Sequence, residues 1–358
     1  MLKNEITRLL KIEYPIIQAP MAGGITTSKL VAAVSNSGAL GMIGAGYLTP
    51  AQLQEQIKEV KQLTSECYGV NLFVPNFFEI DEAKIKKTNQ LLSKYKVELN
   101  IQDENILLPS IENTKQTFME QIQIVMEEKV PICSFTFGVP SKEVLNELSK
   151  LNIISIGTAT TVKEAILIEE LGMNAVVVQG SEAGGHRGNF LNAHEEGLIG
   201  LMSLIPQVVD HVKIPVIAAG GIMDGRGLMA SLSLGACAVQ MGTAFLTCEE
   251  SGAQPIHKEA ILEAKDEDIT LTNAFSGKWA RGIKNKFIIE MHKNETDIPI
   301  FPIQNTLTQS IRKISSDQHN KEFMSLWSGQ SPLLARTETA EALIQRIIKE
   351  AKGINISM

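Results

Sequence analysis

The feature that most constrains the fold is a regular alternation of short apolar runs with amphipathic helical stretches. This alternation indicates βαβ units around a parallel sheet. Several runs are apolar at consecutive positions, as expected of strands that are covered on both faces. Eight strands close a TIM-type (β/α)8 barrel, so the sequence predicts that α/β fold. The predicted strands are residues 14–23, 41–46, 68–74, 130–138, 153–160, 174–180, 214–221 and 237–245.

Helix start and stop signals lie between these runs. A hydroxyl or carboxylate side chain at a helix start accepts hydrogen bonds from free backbone N–H groups, and a proline fits the first helical position. A glycine just past the last turn is a typical stop. The predicted starts are Thr49-Pro50, Ser141, Thr161 and Asp224, and the predicted stops are Gly172 and Gly235.

Two stretches interrupt the alternation and suggest how the chain is organised. We expect residues 1–250 to form the barrel, with an insertion at about 76–116 after the third strand. This insertion is either a solvated excursion with one helix or a cover for the barrel mouth, where active sites of such barrels lie. Residues 251–325 are expected to form a small lobe packed on the barrel. Residues 326–358, with a helix at 337–351, would complete the barrel.

Composition and charge exclude several other classes of protein. The chain has 358 residues and a formal net charge of −7, which argues against a nucleic-acid surface. No run approaches the ~18 apolar residues of a membrane helix, and the charged N-terminus lacks a signal-peptide core. A cytoplasmic enzyme is expected. The four cysteines form no CxxC pair and no HExxH occurs, so no metal site is predicted.

Glycines follow the seventh and eighth predicted strands, at the end of the barrel where active sites lie. The segments are AAGGI (218–222) and QMGTAF (240–245). Glycines there allow backbone N–H groups to approach a phosphate closely. Gly220 and Gly221 alone would also fit a tight turn. Together with Gly242 and Thr243 on the neighbouring strand, they favour a phosphate site.

Three side-chain amides stand at other strand ends, namely Gln18, Asn71 and Gln179. Each amide offers donors and an acceptor, which suits the N3–H and carbonyl edge of an isoalloxazine ring. The small residues at 19–24 would let the backbone run close to such a ring. A single amide is as readily explained by a hydrogen bond to a loop, but three together favour a flat ligand.

His186 stands in the glycine-rich segment EAGGHRG after the sixth predicted strand. Histidine titrates near neutral pH and can act as an acid, a base or a partner for an anion. Its position at the barrel mouth makes it the candidate catalytic residue. Glu182 and Arg187 are weaker candidates, since either could belong to an ordinary loop salt bridge.

Taken in order, these segments resemble the nitronate monooxygenase family, formerly called 2-nitropropane dioxygenase. The match covers about residues 14–251. It runs through QAPMAGG, GVNLFVP, GTATT, VVQGSEAGGHRG, PVIAAGGI and QMGTAFLTCEES. The resemblance implies non-covalent FMN and the oxidation of alkyl nitronates, propionate 3-nitronate among them. Molecular oxygen would be the co-substrate, the reaction would pass through a flavin semiquinone, and nitrite and a carbonyl product would be released.

The resemblance also implies roles for particular residues. His186 would face the substrate. Thr136 is a departure, because many relatives carry a histidine at that position, and this puts a second imidazole near the nitro group in doubt. We expect a monomer or a homodimer. The implied FMN contacts are Met21, Asn71, Gln179, Gly184, Gly221, Gln240, Met241, Gly242 and Thr243.

Two other functions remain open at this point. A flavin-dependent enoyl-acyl carrier protein reductase shares the fold, FMN and an EAGGH-type loop, and would use NAD(P)H. The insertion at about 76–116, Ala244 and the segment CEES (248–251) argue against it. A flavoprotein that only binds or senses a ligand is the third reading, and no appended partner-binding module supports it.

Overall fold

The computed structural model describes residues 2–102, 106–191 and 195–354. Within these residues, eight parallel strands form one sheet. A shorter antiparallel sheet is built from three further strands, β7, β10 and β11. The strands are β1 Ile16–Gln18, β2 Gly41–Gly44, β3 Tyr68–Phe73, β4 Ile132–Thr136, β5 Ile154–Ala159, β6 Ala175–Gln179, β7 Gly185–His186, β8 Val216–Ala219, β9 Ala238–Met241, β10 Ile269–Thr272 and β11 Ala280–Ile283.

The parallel sheet closes on itself. Its strand order is β1-β9-β8-β6-β5-β4-β3-β2, and a parallel bridge between Ile17 and Leu40 joins the first strand to the start of the second. Leu40 receives a hydrogen bond from Gln18 N and donates one to Ile16 O, both 2.9 Å long. The predicted (β/α)8 barrel is confirmed, and all eight predicted runs contain a barrel strand.

The predicted helix signals are also confirmed. Thr49 and Gln52 form a reciprocal capping pair with Pro50 in the first turn, and Ser141, Thr161 and Asp224 each cap the helix that follows. Gly172 and Gly235 follow their helices with φ of 87° and 104°. The helices are α1 Glu5–Leu9, α2 Ser28–Asn36, α3 Pro50–Leu63, α4 Glu82–Glu98, α5 Ile111–Glu127, α6 Lys142–Lys150, α7 Val162–Glu170, α8 Leu201–Val209, α9 Gly225–Ser233, α10 Thr243–Leu246, α11 Pro255–Glu263, α12 Lys286–His292, α13 Ile303–Leu307, α14 Gln309–Asp317 and α15 Ala340–Gly353.

The barrel has one core outside the strands and another within them. Outside, the strands pack against the ring of helices, and α15 lies against α2 and α9. Inside, Ile17, Met42 and Ile217 pack with Ile6 of the N-terminal helix α1 and with Leu10, which caps the end of that helix. Helix α1 therefore covers the N-terminal end of the barrel, and the opposite end stays available for a site. No helix in the described part of the chain is long and apolar enough to cross a membrane.

The insertion after β3 packs on the lobe that follows β9. Leu92 and Tyr95 of α4 share a buried cluster with Phe275, Phe287 and Phe323 of the lobe. The rings of Tyr95 and Phe287 lie 4.9 Å apart. Residues 103–105 of the insertion lie outside the described part. These contacts join two segments separated by almost 200 residues into one apolar unit.

Candidate active site

A cavity opens at the C-terminal ends of the barrel strands. It encloses about 1270 Å³ that no protein atom fills, part of it open to solvent. Ligand sites in barrels of this kind lie at this face. The residues that line the cavity are Ala19, Pro20, Met21, Ala22, Ile25, Tyr47, Asn71, Phe73, Ser134, Thr136, Phe137, Thr158, Val177, Gln179, Ala183, Gly184, Gly185, His186, Ala219, Gly220, Gly221, Ile222, Met223, Gln240, Gly242, Thr243, Leu246, Trp327, Gly329 and Ser331.

His186 and eight of the nine implied FMN contacts line this cavity. Met241 does not. Its side chain is buried in the outer barrel core, and its backbone carbonyl accepts a 2.8 Å hydrogen bond from Ala19 N. Any contribution of Met241 to a ligand would therefore come through its backbone, because its thioether points away from the cavity.

Two glycine loops and a third segment line one end of the cavity. Gly220 and Gly221 have φ of 135° and 64°, a region that favours glycine. A Cβ added at Gly242 would have no neighbour closer than 3.7 Å and would stand in the cavity. The arrangement leaves room for a ligand beside bare backbone, as the phosphate prediction requires.

The third segment is residues 328–331, and the sequence does not predict that it belongs to the site. Gly329 N donates a 2.9 Å hydrogen bond to Thr243 Oγ1, and Ser331 Oγ donates a 3.0 Å bond to Gly221 O. A Cβ at Gly184 would lie only 2.6 Å from Gly329 N. Gly184 is therefore needed for the packing of this segment, whatever else it contacts. No motif marks residues 328–331, so their role depends on packing that only the structure shows.

The predicted amides differ in what they can offer a ligand. Asn71 Nδ2 donates to Ser134 Oγ at 2.9 Å and to Thr136 Oγ1 at 3.1 Å. Its side-chain oxygen has no hydrogen-bond partner among the described residues. Thr136, the residue that departs from the family pattern, thus supports Asn71. Gln179 accepts from Gly188 N and donates to His186 O, so its amide already holds the histidine loop.

Gln18 does not fit the prediction that it contacts a ring. It is fully buried and does not line the cavity. Its amide oxygen accepts from Met42 N at 3.0 Å, and its amide nitrogen donates to the carbonyls of Met42 and Ala19. The side chain connects β1 to β2 inside the barrel wall. A strand-end amide in the sequence does not reveal which way it turns.

His186 lies in the short strand β7, which pairs with β11 of the lobe. Its Nε2 is 2.8 Å from Ser276 Oγ. Removal from bulk water, together with the nearby positive charges of Lys278 and Arg312, lowers the pKa of His186 to about 3. The imidazole is therefore neutral at physiological pH, unlike an ordinary exposed histidine.

Aromatic rings enclose the imidazole. Trp327, Phe137 and Phe301 have ring centroids 5.4, 6.0 and 6.3 Å from that of His186. Phe137 has φ of 72°, a left-handed conformation that costs a non-glycine residue about 1–2 kcal/mol. Phe73 packs 4.5 Å from Phe137 and extends the aromatic wall. The chamber beside His186 is therefore narrow and mostly apolar.

Two half-buried cations lie close to this chamber. Lys278 Nζ donates to Asn189 O at 3.1 Å and lies 4.8 Å from the ring centroid of Phe137. Burial lowers the pKa of Lys278 to about 8, so it is mainly charged at neutral pH. Arg312 donates to Asn305 and Thr308. In the described ranges neither cation forms an ion pair with a carboxylate. The chamber therefore carries positive potential that favours an anion.

Glu182 and Arg187, the weaker candidates, organise the loop and are not bridged to each other in the described structure. Arg187 is 1% exposed and donates to the carbonyls of Gln179, Gly180 and Gly197. The two carboxylate oxygens of Glu182 share the N–H of Leu201 at the start of α8. Both side chains hold the loop that carries His186, and neither lines the cavity.

The sequence features that argue against a reductase are the insertion at about 76–116, Ala244 and the segment 248–251, and their described residues lie outside the cavity lining. Ala244 is buried in α10, outside the cavity lining. The Glu250 carboxylate accepts from Ala340 N at the start of α15. No described residue between 76 and 116 lines the cavity. These positions shape the scaffold, and they do not by themselves select one flavin reaction over another. No cluster of metal-ligating side chains occurs in the described ranges.

Comparison with known proteins agrees with this geometry. The sequence profile of the nitronate monooxygenase family matches residues 3–350. A probable nitronate monooxygenase of Staphylococcus haemolyticus is 51% identical over 353 residues, 98% of each chain. A nitroalkane oxidase structure from Streptomyces ansochromogenes superposes with a TM-score of 0.89 at 36% identity, covering 97% of each chain. FabK from Thermotoga maritima superposes with a TM-score of 0.77 at 30% identity, covering 98% of this chain and 97% of that one.

Proposed function

Because the chain belongs to the nitronate monooxygenase family, we propose that it oxidises alkyl nitronates of the propionate 3-nitronate type. The reaction uses FMN and molecular oxygen, and it releases nitrite and a carbonyl product. One observation carries this proposal: the glycine loops at Gly221 and Gly242 share a single cavity with a neutral, aromatic-enclosed His186. A phosphate-binding end and a chamber for a small anion thus lie side by side.

The residues present fit FMN. The phosphate would lie against the loops of Gly221, Gly242 and Thr243, where an added Cβ at Gly242 would have no neighbour closer than 3.7 Å. The side-chain carbonyl of Asn71 and the side-chain amide of Gln240 are available to the ring edge, since both residues line the cavity and no described residue hydrogen-bonds to either group. When bound, FMN would supply the redox chemistry between the nitronate and oxygen.

The protein's own residues bind and orient the substrate. Lys278 and Arg312 attract the anionic nitronate into the chamber, and the rings around His186 give the chamber an apolar wall. A nitronate needs no proton removed. A neutral nitroalkane does, and the neutral imidazole of His186 would take that proton as a general base.

One comparison supports a second candidate. FabK from Thermotoga maritima covers nearly the whole chain at 30% identity. A flavin-dependent reductase that uses NAD(P)H and an enoyl thioester therefore remains the alternative. It has weaker support, because the 51% identical relative and the better-superposed structure are a probable nitronate monooxygenase and a nitroalkane oxidase.

The direct test of the proposal is product formation. Purified protein loaded with FMN is mixed in air with propionate 3-nitronate, and nitrite and oxygen are followed together. We expect nitrite release that depends on both FMN and oxygen. An FMN-loaded, folded protein that forms no nitrite from this or other alkyl nitronates would exclude the proposed reaction.

A further inference from the structure

We propose that Ser276 is a positioning residue for His186, and that it leaves Nδ1 as the imidazole atom that accepts a substrate proton. The kinetic effect of Ser276 rests on the proposed function. The tautomer that Ser276 selects for His186 does not depend on that function. Ser276 lies in the lobe, 90 positions from His186, and belongs to no motif of the sequence.

The hydrogen bonds around the Ser276 hydroxyl determine its direction. Ser276 Oγ lies 3.0 Å from Lys278 O, 3.3 Å from Lys278 N and 2.8 Å from His186 Nε2. A hydroxyl has a single proton, and Lys278 O can only accept. If that proton goes to Lys278 O, the hydroxyl oxygen accepts from Lys278 N–H and from His186 Nε2–H. The neutral imidazole then carries its proton on Nε2 and its lone pair on Nδ1.

The opposite assignment leaves an unfavourable contact. If the hydroxyl donated to Nε2, its oxygen would face the Lys278 carbonyl at 3.0 Å with no proton between them. Ser276 is only 2% exposed, so water cannot compensate for that repulsion. The contacts of Ser276 therefore select one tautomer of His186.

The backbone and the ring of His186 are both held in place. Its backbone pairs with Ala280 in β11, and the next residue donates from N to Trp279 O at 2.8 Å. Gln179 Nε2 donates to His186 O at 3.0 Å. The rings of Phe137 and Trp327 restrict rotation of the imidazole. Within the described residues Nδ1 has no hydrogen-bond partner, and the side chain lines the cavity.

The chemical consequence concerns neutral nitroalkanes. The bond from the α carbon to hydrogen breaks, its electron pair moves into the nitro group, and the proton forms a bond to Nδ1. The product pair is a nitronate and an imidazolium. Ser276 Oγ accepts from Nε2–H before and after the transfer, so no hydroxyl rotation is needed. A substrate that enters as a nitronate bypasses this step.

The first arm of the test reads the tautomer directly. Full-length protein loaded with FMN is labelled with ¹⁵N-histidine, and the signal of His186 among the six histidines is assigned by its loss in His186→Asn. We expect a pyrrole-like Nε2 and a pyridine-like Nδ1 in the wild type. In Ser276→Ala this pattern should change to a mixture of tautomers. A wild type with the proton on Nδ1 would overturn the inference, whether or not the protein oxidises nitronates.

The second arm compares kcat/KM for nitroethane and for its preformed nitronate. Ser276→Ala should lower the value for nitroethane roughly 10- to 100-fold. The value for the nitronate should change less than about threefold, with FMN content unchanged. Ser276→Thr keeps the hydroxyl and should restore most of the nitroethane activity. Ser315→Ala is the matched control, because Ser315 is a buried lobe serine that also donates to a carbonyl, that of Asn320.

The outcomes separate the possible failures. Equal losses on both substrates in Ser276→Ala, with reduced FMN content, would show a merely structural serine and would overturn the inference. If no nitro compound is oxidised at all, the proposed function fails, and the tautomer measurement still decides the role of Ser276. If Ser276→Ala does not fold, Ser276→Thr and the wild-type spectrum decide the question.

Discussion

The backbone N–H of Gly329 donates a 2.9 Å hydrogen bond to the hydroxyl of Thr243. This bond connects the end of the eighth barrel strand to a segment almost 90 residues further along the chain. With the bond from Ser331 to Gly221, it makes the segment 328–331 part of the wall at the glycine loops. The cavity is thus completed by residues from outside the barrel.

The glycine loops should be required for FMN retention. Gly221→Asp places a carboxylate where a phosphate would bind, next to Glu182, whose Cβ would be 3.2 Å from the new Cβ. We expect loss of bound FMN with the barrel still folded, checked by flavin absorbance and circular dichroism. The wild type should release FMN, and not FAD, on denaturation.

The control for this variant is Gly172→Asp. Gly172 has a similar positive φ of 87° and nothing within 4 Å of an added Cβ. Both variants should lose about 1–2 kcal/mol of unfolding free energy through backbone strain. Only Gly221→Asp should lose the flavin. A Gly221→Asp protein that keeps FMN tightly would count against the phosphate site.

His186→Asn should separate the two forms of substrate. Oxidation of a nitronate should fall less than about tenfold, because no proton has to be removed. Oxidation of the neutral nitroalkane should fall about 100- to 10,000-fold, the usual contribution of a positioned base. Steady-state kinetics with both forms tests this, with the exposed His211→Asn as control. Equal losses on both forms would leave His186 a structural residue.

Two histidines with lowered pKa values should make the fold sensitive to acid. The pKa of His186 is lowered to about 3 and that of His257 to about 4, both by burial. The unfolded chain takes up these protons near pH 6.5, while the folded protein does not until pH 4 or 3. Unfolding free energy should therefore fall as the pH drops from about 6.5 to 4. Each histidine contributes at most about 1.4 kcal/mol per pH unit.

Urea unfolding at several pH values measures this effect. His186→Asn should lose less stability between pH 6.5 and 4 than the wild type, because one of the two groups is gone. The kcat/KM of the wild type for a neutral nitroalkane should show no loss from His186 protonation near pH 6.5. An acid limb at pH 6.5 that disappears in His186→Asn would mean that the imidazole is not shielded as described.

Lys278 should contribute to nitronate binding. Lys278→Met removes a positive charge near His186 while keeping an unbranched side chain. We expect KM for a nitronate to rise roughly 3- to 10-fold, the effect of about 1 kcal/mol of lost attraction. Because the pKa of Lys278 is about 8, the affinity of the wild type should weaken as the pH rises through 8. Lys284→Met, at a lysine of the same lobe that donates to Glu267 O, should leave KM unchanged.

The sequence predicts the barrel well because local signals and global fold agree. Each strand is a short apolar run, and residues such as Thr49 and Asp224 cap helices through contacts within four residues. Such short-range patterns are readable without a structure. The glycines at 220, 221 and 242 are readable for the same reason, since they follow barrel strands.

The rest of the site depends on long-range packing. Strand β7 pairs with β11, almost 100 residues further along the chain, and this pairing brings Ser276 and Lys278 close to His186. The rings of Phe301 and Trp327, from later segments of the lobe, also lie beside the imidazole. No sequence pattern in the lobe predicts the pairing of β7 with β11. The sequence also does not show whether the side chain of Gln18 points into the cavity or into the barrel wall, because a residue at a strand end can face either side. The neutral state of His186 follows from burial, which the glycine-rich loop did not reveal.

The most direct test of the account is anaerobic flavin reduction. Purified protein carrying FMN is mixed without oxygen, once with propionate 3-nitronate and once with NADH, and the flavin absorbance is followed. Nitronate oxidation in this cavity predicts rapid bleaching by the nitronate and slow or absent bleaching by NADH. Rapid bleaching by NADH, with none by the nitronate and with subsequent reduction of an enoyl thioester, would contradict it and identify a reductase.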